Sequence, residues 1–361
     1  PVTAAAEPII MGAIKKMLHR EIPDDLTKSP MVLEAESQTP LRTLDQWEAK
    51  KAAWKNNMAS IMGTLPPRDH LEVPELIYGD SLVNNNYTRH HITFASDERN
   101  EVTAYLYTPH SIKEKAPAML VLHSTGDLGK KIVDDQGPRK NRGLAKELAE
   151  RGYVVIAPDY PSFGEQKDHD FSKDGFESGT LLAVWNHMRS VDVLTNLEQV
   201  DADRIGVIGH SLGGHNALFV AAHDQRIKAV VTSCGWSPFD YYDIGEAGIK
   251  NYGGRLGPWA QDRYMPAIKK LLPEAQLPFD FTQIIASIAP RPVFTNAPLN
   301  DSNFSVKGVK AGIDIIRPVY NWLGYPDNLL VKYPKADHDF PEKTRKEAYA
   351  FLDNLFGFTG F

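Results

Sequence analysis

Cysteine is nearly absent: Cys234 is the single thiol in 361 residues. No internal disulfide can form, so packing alone must hold the fold together. It follows the apolar run IKAVVTS and is expected to be a buried core thiol. Nor is there an excess of positive charge. Lys and Arg number 40 against 46 Asp and Glu, a formal net charge of −6, which argues against a surface built for nucleic acid or anionic lipid. The short runs IKKMLHR and GKK read as solvated faces. No apolar stretch approaches the roughly 20 residues that a membrane-spanning helix needs, and neither an internal repeat nor a low-complexity tract is visible. The chain opens on PVTAAAEPII rather than on methionine, which reads as a processed product and suits an exported protein.

What is present falls into three zones. Residues 1–80 are punctuated by proline and carry a helical stretch, LDQWEAKKAAWKNNMASIM, in which Leu44, Trp47, Trp54, Met58 and Ile61 recur near helical spacing. This extension is expected to pack on the body through its tryptophans, with polysaccharide binding by the indoles as the alternative. Residues 81–361 form the main domain. YTRHHITFAS and EVTAYLYTP read as a hairpin around DERN. Strands and helices then alternate: PAMLVLH, RGLAKELAERG, YVVIAPD, ESGTLLAVWNHMRSVDVLTNLEQV, RIGVIGH, HNALFVAAHD and IKAVVTSCG. Strands apolar on both faces, separated by helices, predict an α/β fold with a mostly parallel central sheet flanked by helices. After this fourth parallel strand the pattern breaks over residues 236–288, an aromatic-rich insertion expected to shape a pocket. It resumes with RPVFTNAP, a helix near 306–323, NLLVKYP and a final helix, PEKTRKEAYAFLDNLFGF.

The chemistry centres on RIGVIGHSLGGHNAL, where Ser211 sits in G-x-S-x-G form between a strand and a helix. That context is the one in which a nucleophile elbow occurs. A turn that tight needs small residues at Gly209 and Gly213, and Gly214 lets the helix approach the strand. The serine then stands at a helix N-terminus, where the N–H of Leu212 is set to bind a developing oxyanion. A phosphate loop is disfavoured, because the Lys-Ser/Thr ending is missing. A serine hydroxyl needs a base, and chains built on this elbow supply serine, acid and histidine in that order. His215 and His223 lie on the helix leaving the elbow, which leaves His338 in YPKADHDFPEK. Asp301 in APLNDSNF, 90 residues after Ser211 and 37 before His338, is the expected acid, holding the imidazole in its productive tautomer. Asp240 and Asp243 are its competitors, while Asp337 and Asp339 are expected to face solvent. The second oxyanion donor is expected in LHSTGDLGKK: Thr125, with Ser124 as its neighbour and His123 as a structural or pocket-wall residue.

Together GYVVIAPDYPSFGE, VDADRIGVIGHSLGGHNAL, RIKAVVTSCGW, RYMP, APRPVFTNAPLNDSNF and HDFP resemble the α/β-hydrolase fold, in its dienelactone-hydrolase-like and acetyl-xylan-esterase-like group, from about residue 88 to 355. The resemblance implies nucleophile, acid and base roles for Ser211, Asp301 and His338. Dienelactone hydrolases proper use cysteine where Ser211 stands, so their lactone substrate is not carried over. The first 80 residues have no counterpart in minimal members.

The expected activity is therefore serine esterase, needing neither metal nor organic cofactor. The substrate is expected to be a small or oligosaccharide ester: an acetyl, feruloyl or uronate ester of a polysaccharide. The alternatives are a general carboxylesterase or lactonase, a peptidase, and a non-catalytic binding protein. Trp236, Tyr241, Tyr242, Trp259, Arg263 and Tyr264 of the insertion, with His123, are the candidate substrate-binding residues, the arginine for pairing with a uronate.

Overall fold

The computed structural model describes residues 41–69 and 71–358, so the IKKMLHR run lies outside the described residues. A nine-stranded sheet organises the chain in the order β1-β2-β3-β5-β4-β6-β7-β8-β9. The strands are β1 (Ile77–Val83), β2 (Tyr87–Ala95), β3 (Glu101–Pro109), β4 (Ala116–Leu122), β5 (Val154–Pro158), β6 (Val200–His210), β7 (Ile227–Ser233), β8 (Val293–Asn296) and β9 (Leu329–Lys332). The first three pair antiparallel, β3 pairs antiparallel with β5, and every pair beyond is parallel.

Strand alternation divides the core into two layers. Ala118, Leu120 and Leu122 of β4 face one apolar cluster, with Val207 and Val230; Met119 and Val121 face the other, with Ile208, Val231 and Phe294. On the first face lie helices α1 (Leu44–Met62), α3 (Gly179–Asn196), α4 (Leu212–His223), α6 (Phe281–Ile288) and α7 (Val306–Trp322). On the second lie α2 (Leu144–Glu150) and α8 (Glu342–Phe356). Helix α5 (Gly245–Tyr252) buries no residue and stands out from the body. Among the described residues no helix is long and apolar enough to cross a membrane.

Helix α1 starts in a capping box formed by Thr43 and Gln46, which satisfies two otherwise orphaned N–H donors. Trp47 and Trp54 are each 2% exposed and meet edge to face at 5.5 Å, with Trp322 of α7 6.1 Å from Trp47. The indoles therefore anchor the extension and leave no face for a sugar. Trp47→Ala should cost about 3–5 kcal/mol, read as a lowered urea midpoint at unchanged slope.

Three expectations need correction. The sheet begins at Ile77, inside the supposed extension; β1 is exposed along its whole length, and with no buried face its residues show no apolar–polar alternation to betray it. Helix α6, at the end of the supposed irregular insertion, is largely buried and capped by Asp280, so the irregular part stops near Phe279. The GKK run is not a solvated face: Lys130 is 1% exposed, donating to Asp159 at 2.6 Å and Glu165 at 2.7 Å. A buried ammonium persists only when so paired.

Candidate active site

Ser211 follows β6 and precedes α4, at φ 57° and ψ −116°, a conformation that costs an L-residue about 1–3 kcal/mol. Close packing enforces it. A Cβ on Gly209 would lie 2.2 Å from the Gly213 carbonyl carbon, and one on Gly213 would lie 2.1 Å from the Leu122 oxygen. The strained turn lifts the hydroxyl out of the sheet at its carboxyl edge, where loops after β8 and β9 also end. His338, after β9, brings Nε2 to 2.9 Å from Ser211 Oγ. Its Nδ1 lies 2.9 Å from Asp301 Oδ1, after β8.

The electrostatics follow from these contacts. Burial works against ionisation of Asp301, but the His338 ring and the N–H groups of Asn303 and Phe304 outweigh it and hold the carboxyl below its ordinary range. The same Oδ1 accepts both N–H bonds, at 2.8 and 3.1 Å. Asp301 therefore stays anionic and orients Nδ1–H of the imidazole, leaving Nε2 free to accept from Ser211. Its competitors are elsewhere: Asp240 is 94% exposed, 4.0 Å from Arg255, and Asp243 accepts from the Gly245 N–H.

Leu212 begins α4, where the first N–H groups have no intrahelical acceptor. Ser124 and Thr125 line the same pocket, of about 440 Å³, as Ser211 and His338, a size that suits a small ligand. Tyr264 lines the pocket with Thr125, so the loop after β4 and the insertion share one wall. His123 is structural. Its Nε2 accepts from Tyr160 N–H at 2.9 Å and its Nδ1 lies 2.7 Å from Ser124 O. Burial lowers its pKa and keeps it neutral, so that it staples this loop to the end of β5.

The predicted binding residues divide. Trp259, Tyr242 and Tyr264 line the pocket. Trp236 does not: its ring lies under α7, where a Cβ on Gly312 would come within 2.7 Å of it, and it is core. Tyr241 packs beside Gly308 and is not among the lining residues. Arg263 lines a neighbouring depression instead, its guanidinium 4.9 Å from the Phe163 ring centre.

Several contributors carried no sequence signal. His210 and His215 line the pocket; burial drives both imidazoles neutral, His215 down to about 3. Arg142 donates to the His338 carbonyl at 3.1 Å and to Asp339 at 2.5 Å, so Asp339 clamps the histidine loop and does not simply face solvent; Asp337 is exposed. Asn296 of β8 adds a bond to the Asp339 carbonyl at 2.9 Å. Cys234 is buried as expected, its Sγ 3.3 Å from the same carbonyl, and burial pushes its thiol up.

Sequence comparison and structural comparison converge on one architecture. A family described as alpha/beta hydrolase fold matches residues 117–257. A glucuronoyl esterase from Solibacter usitatus superposes with a TM-score of 0.68 over 94% of this chain and all of its own, at 18% identity. The chain has the α/β-hydrolase fold. Full-length relatives are distant. The chain is 26% identical over 312 residues to the putative hydrolase YtaP of Bacillus subtilis (strain 168), covering 84% of this chain and 98% of that one. It is 24% identical to a carbohydrate esterase from an unknown prokaryotic organism, over 88% and 83% of the two chains.

Proposed function

We propose that this protein, on its α/β-hydrolase fold, is a serine esterase acting on a carboxylic ester of a carbohydrate. One observation carries the reading: a serine held in a strained elbow, with its Oγ 2.9 Å from an imidazole whose other nitrogen is 2.9 Å from a buried aspartate. That geometry prepares one reaction class, acyl transfer through a covalent intermediate.

Ser211 Oγ attacks the ester carbonyl while His338 Nε2 takes its proton. The carbonyl oxygen gains the electron pair and is held by the N–H groups of Leu212 and Thr125, each worth about 3 kcal/mol in the transition state. As the tetrahedral species collapses, Nε2 returns the proton to the leaving alcohol, and the acyl group stays on Ser211. Water then attacks the acyl carbon as it loses a proton to His338 Nε2, and the carbonyl oxygen again takes the electron pair. The second tetrahedral species collapses to the free acid, and Ser211 recovers its proton. Asp301 stabilises the imidazolium at both stages without accepting a proton.

The carbohydrate part rests on the pocket wall and the relatives. Trp259, Tyr242 and Tyr264 offer aromatic surface with polar tips, which suits a sugar ring better than an acyl chain. A glucuronoyl esterase and a carbohydrate esterase are among the proteins this chain resembles.

The test is product release from acetylated, feruloylated and methyl-uronate oligosaccharides beside aryl acetates, with Ser211→Ala as the blank. A glycan ester cleaved with kcat/KM well above the aryl acetates supports the reading. Turnover of aryl acetates alone removes the carbohydrate part. Release undiminished in the Ser211→Ala protein sinks the mechanism.

A further inference from the structure

A second depression, of about 540 Å³, adjoins the Ser211 pocket; Tyr252 and Gln261 line both. Its charge is lopsided. Lys167, Arg263 and Lys269 line it against one carboxylate, Asp262, and that carboxylate is taken by Lys269 at 2.6 Å. His169 is likewise held by Asp174, at 3.0 Å. Among the described residues neither Lys167 nor Arg263 forms an ion pair. The Arg263 guanidinium is fixed over Phe163, a contact that orients its plane while leaving its N–H edge available for a carboxylate. Ser162 lines the same space, and its Oγ has no partner among the described residues.

The Ser211 pocket repeats the bias. Arg139 lines it and lies near enough to His210 to disfavour that ring's protonation; no carboxylate and no other Lys or Arg is among its lining residues. A cleft carrying unpaired cations at both ends, in a chain of net charge −6, is a local arrangement for an anion and not a property of the whole surface.

We propose that the second depression is a subsite for an acidic sugar, so that the substrate is a partly esterified uronic-acid oligosaccharide. Its esterified unit sits at Ser211, and a neighbouring free carboxylate pairs with Arg263 and Lys167. The assignment of the esterified unit rests on the esterase reading; the carboxylate subsite is independently measurable.

The experiment uses the full chain and a uronic-acid trisaccharide methyl-esterified at one terminal unit. Its neutral counterpart has the two free carboxylates reduced to hydroxymethyl groups. The acidic trisaccharide is expected to have kcat/KM at least tenfold higher at low salt, an advantage that salt erodes. In Arg263→Gln and in Lys167→Gln, the ratio of kcat/KM on the acidic trisaccharide to that on an aryl acetate should fall about tenfold, mainly through KM. Either variant suffices if the other folds poorly. Equal turnover of both trisaccharides, or a ratio unchanged in both variants while Ser211-dependent aryl acetate hydrolysis persists, overturns the subsite and leaves the esterase reading standing. If no ester is turned over, titration calorimetry of the acidic trisaccharide with Ser211→Ala protein decides. Binding that weakens tenfold on adding Arg263→Gln upholds the carboxylate subsite; no such weakening overturns it.

Discussion

Ser211→Ala is expected to lower kcat/KM by about 10⁵- to 10⁶-fold on any ester the protein turns over, without shifting the thermal unfolding midpoint. The two halves of that expectation have different origins. In the proposed mechanism the hydroxyl is the attacking atom, so nothing replaces it chemically. Structurally it contributes little: among the described residues its side-chain hydrogen bond is to His338, and alanine inherits the same backbone strain at φ 57° without relieving or adding to it. His338→Ala should cost a similar factor, because the unassisted hydroxyl is a poor nucleophile. The informative variant is the double one. Groups that act as a unit are not additive, so Ser211→Ala/His338→Ala should be hardly slower than either single variant. Two independent losses that multiplied would mean the pair does not work together.

The second large effect concerns the acid. Asp301→Asn should reduce kcat by about 10⁴-fold with KM little changed, since the substitution keeps the shape but reverses the hydrogen bond. An asparagine amide that donates toward Nδ1 stabilises the tautomer with its proton on Nε2, and that nitrogen can no longer accept from Ser211. Asp240→Ala and Asp243→Ala should leave kcat within a factor of about two, as expected of surface carboxylates outside the reaction. Near-normal activity in Asp301→Asn would remove its assignment. The pH profile is a further check. The Asp301 carboxyl is held below its ordinary range, so it remains charged while activity falls on the acid side. The acid limb should therefore carry no ionisation from Asp301, and Asp301→Asn should lower the plateau without changing the number of ionisations in that limb.

Legibility differed by element for physical reasons. Helix α1 was readable because Trp47, Trp54, Met58 and Ile61 bury one stripe, and the parallel strands because both faces are apolar. The elbow was readable because its glycines answer to contacts within a few residues and one neighbouring strand. By contrast β1 hides, since an edge strand with both faces in water has no pattern to show. Among the aromatics of residues 236–264, composition could not separate Trp236 from Trp259. Trp236 is placed in the core by Gly312, more than 70 positions away, which leaves room for its ring. Arg142 and Asn296 were equally invisible: each touches the histidine loop from a distant segment, 196 residues away for Arg142 and the His338 carbonyl.

That distance has a consequence for how the enzyme comes into being. The elbow is built around β6 and the carbonyls of β4, near the middle of the sheet. The histidine arrives 127 residues later in sequence, beyond β9 at the far edge. A chain emerging during synthesis, or one refolding, can therefore complete a strained serine turn well before any base stands beside it. On the proposed mechanism, the nascent protein carries its nucleophile in an unarmed state, and hydrolytic competence is expected only once the last strand docks, which makes the edge of the sheet the point where folding and activity become the same event.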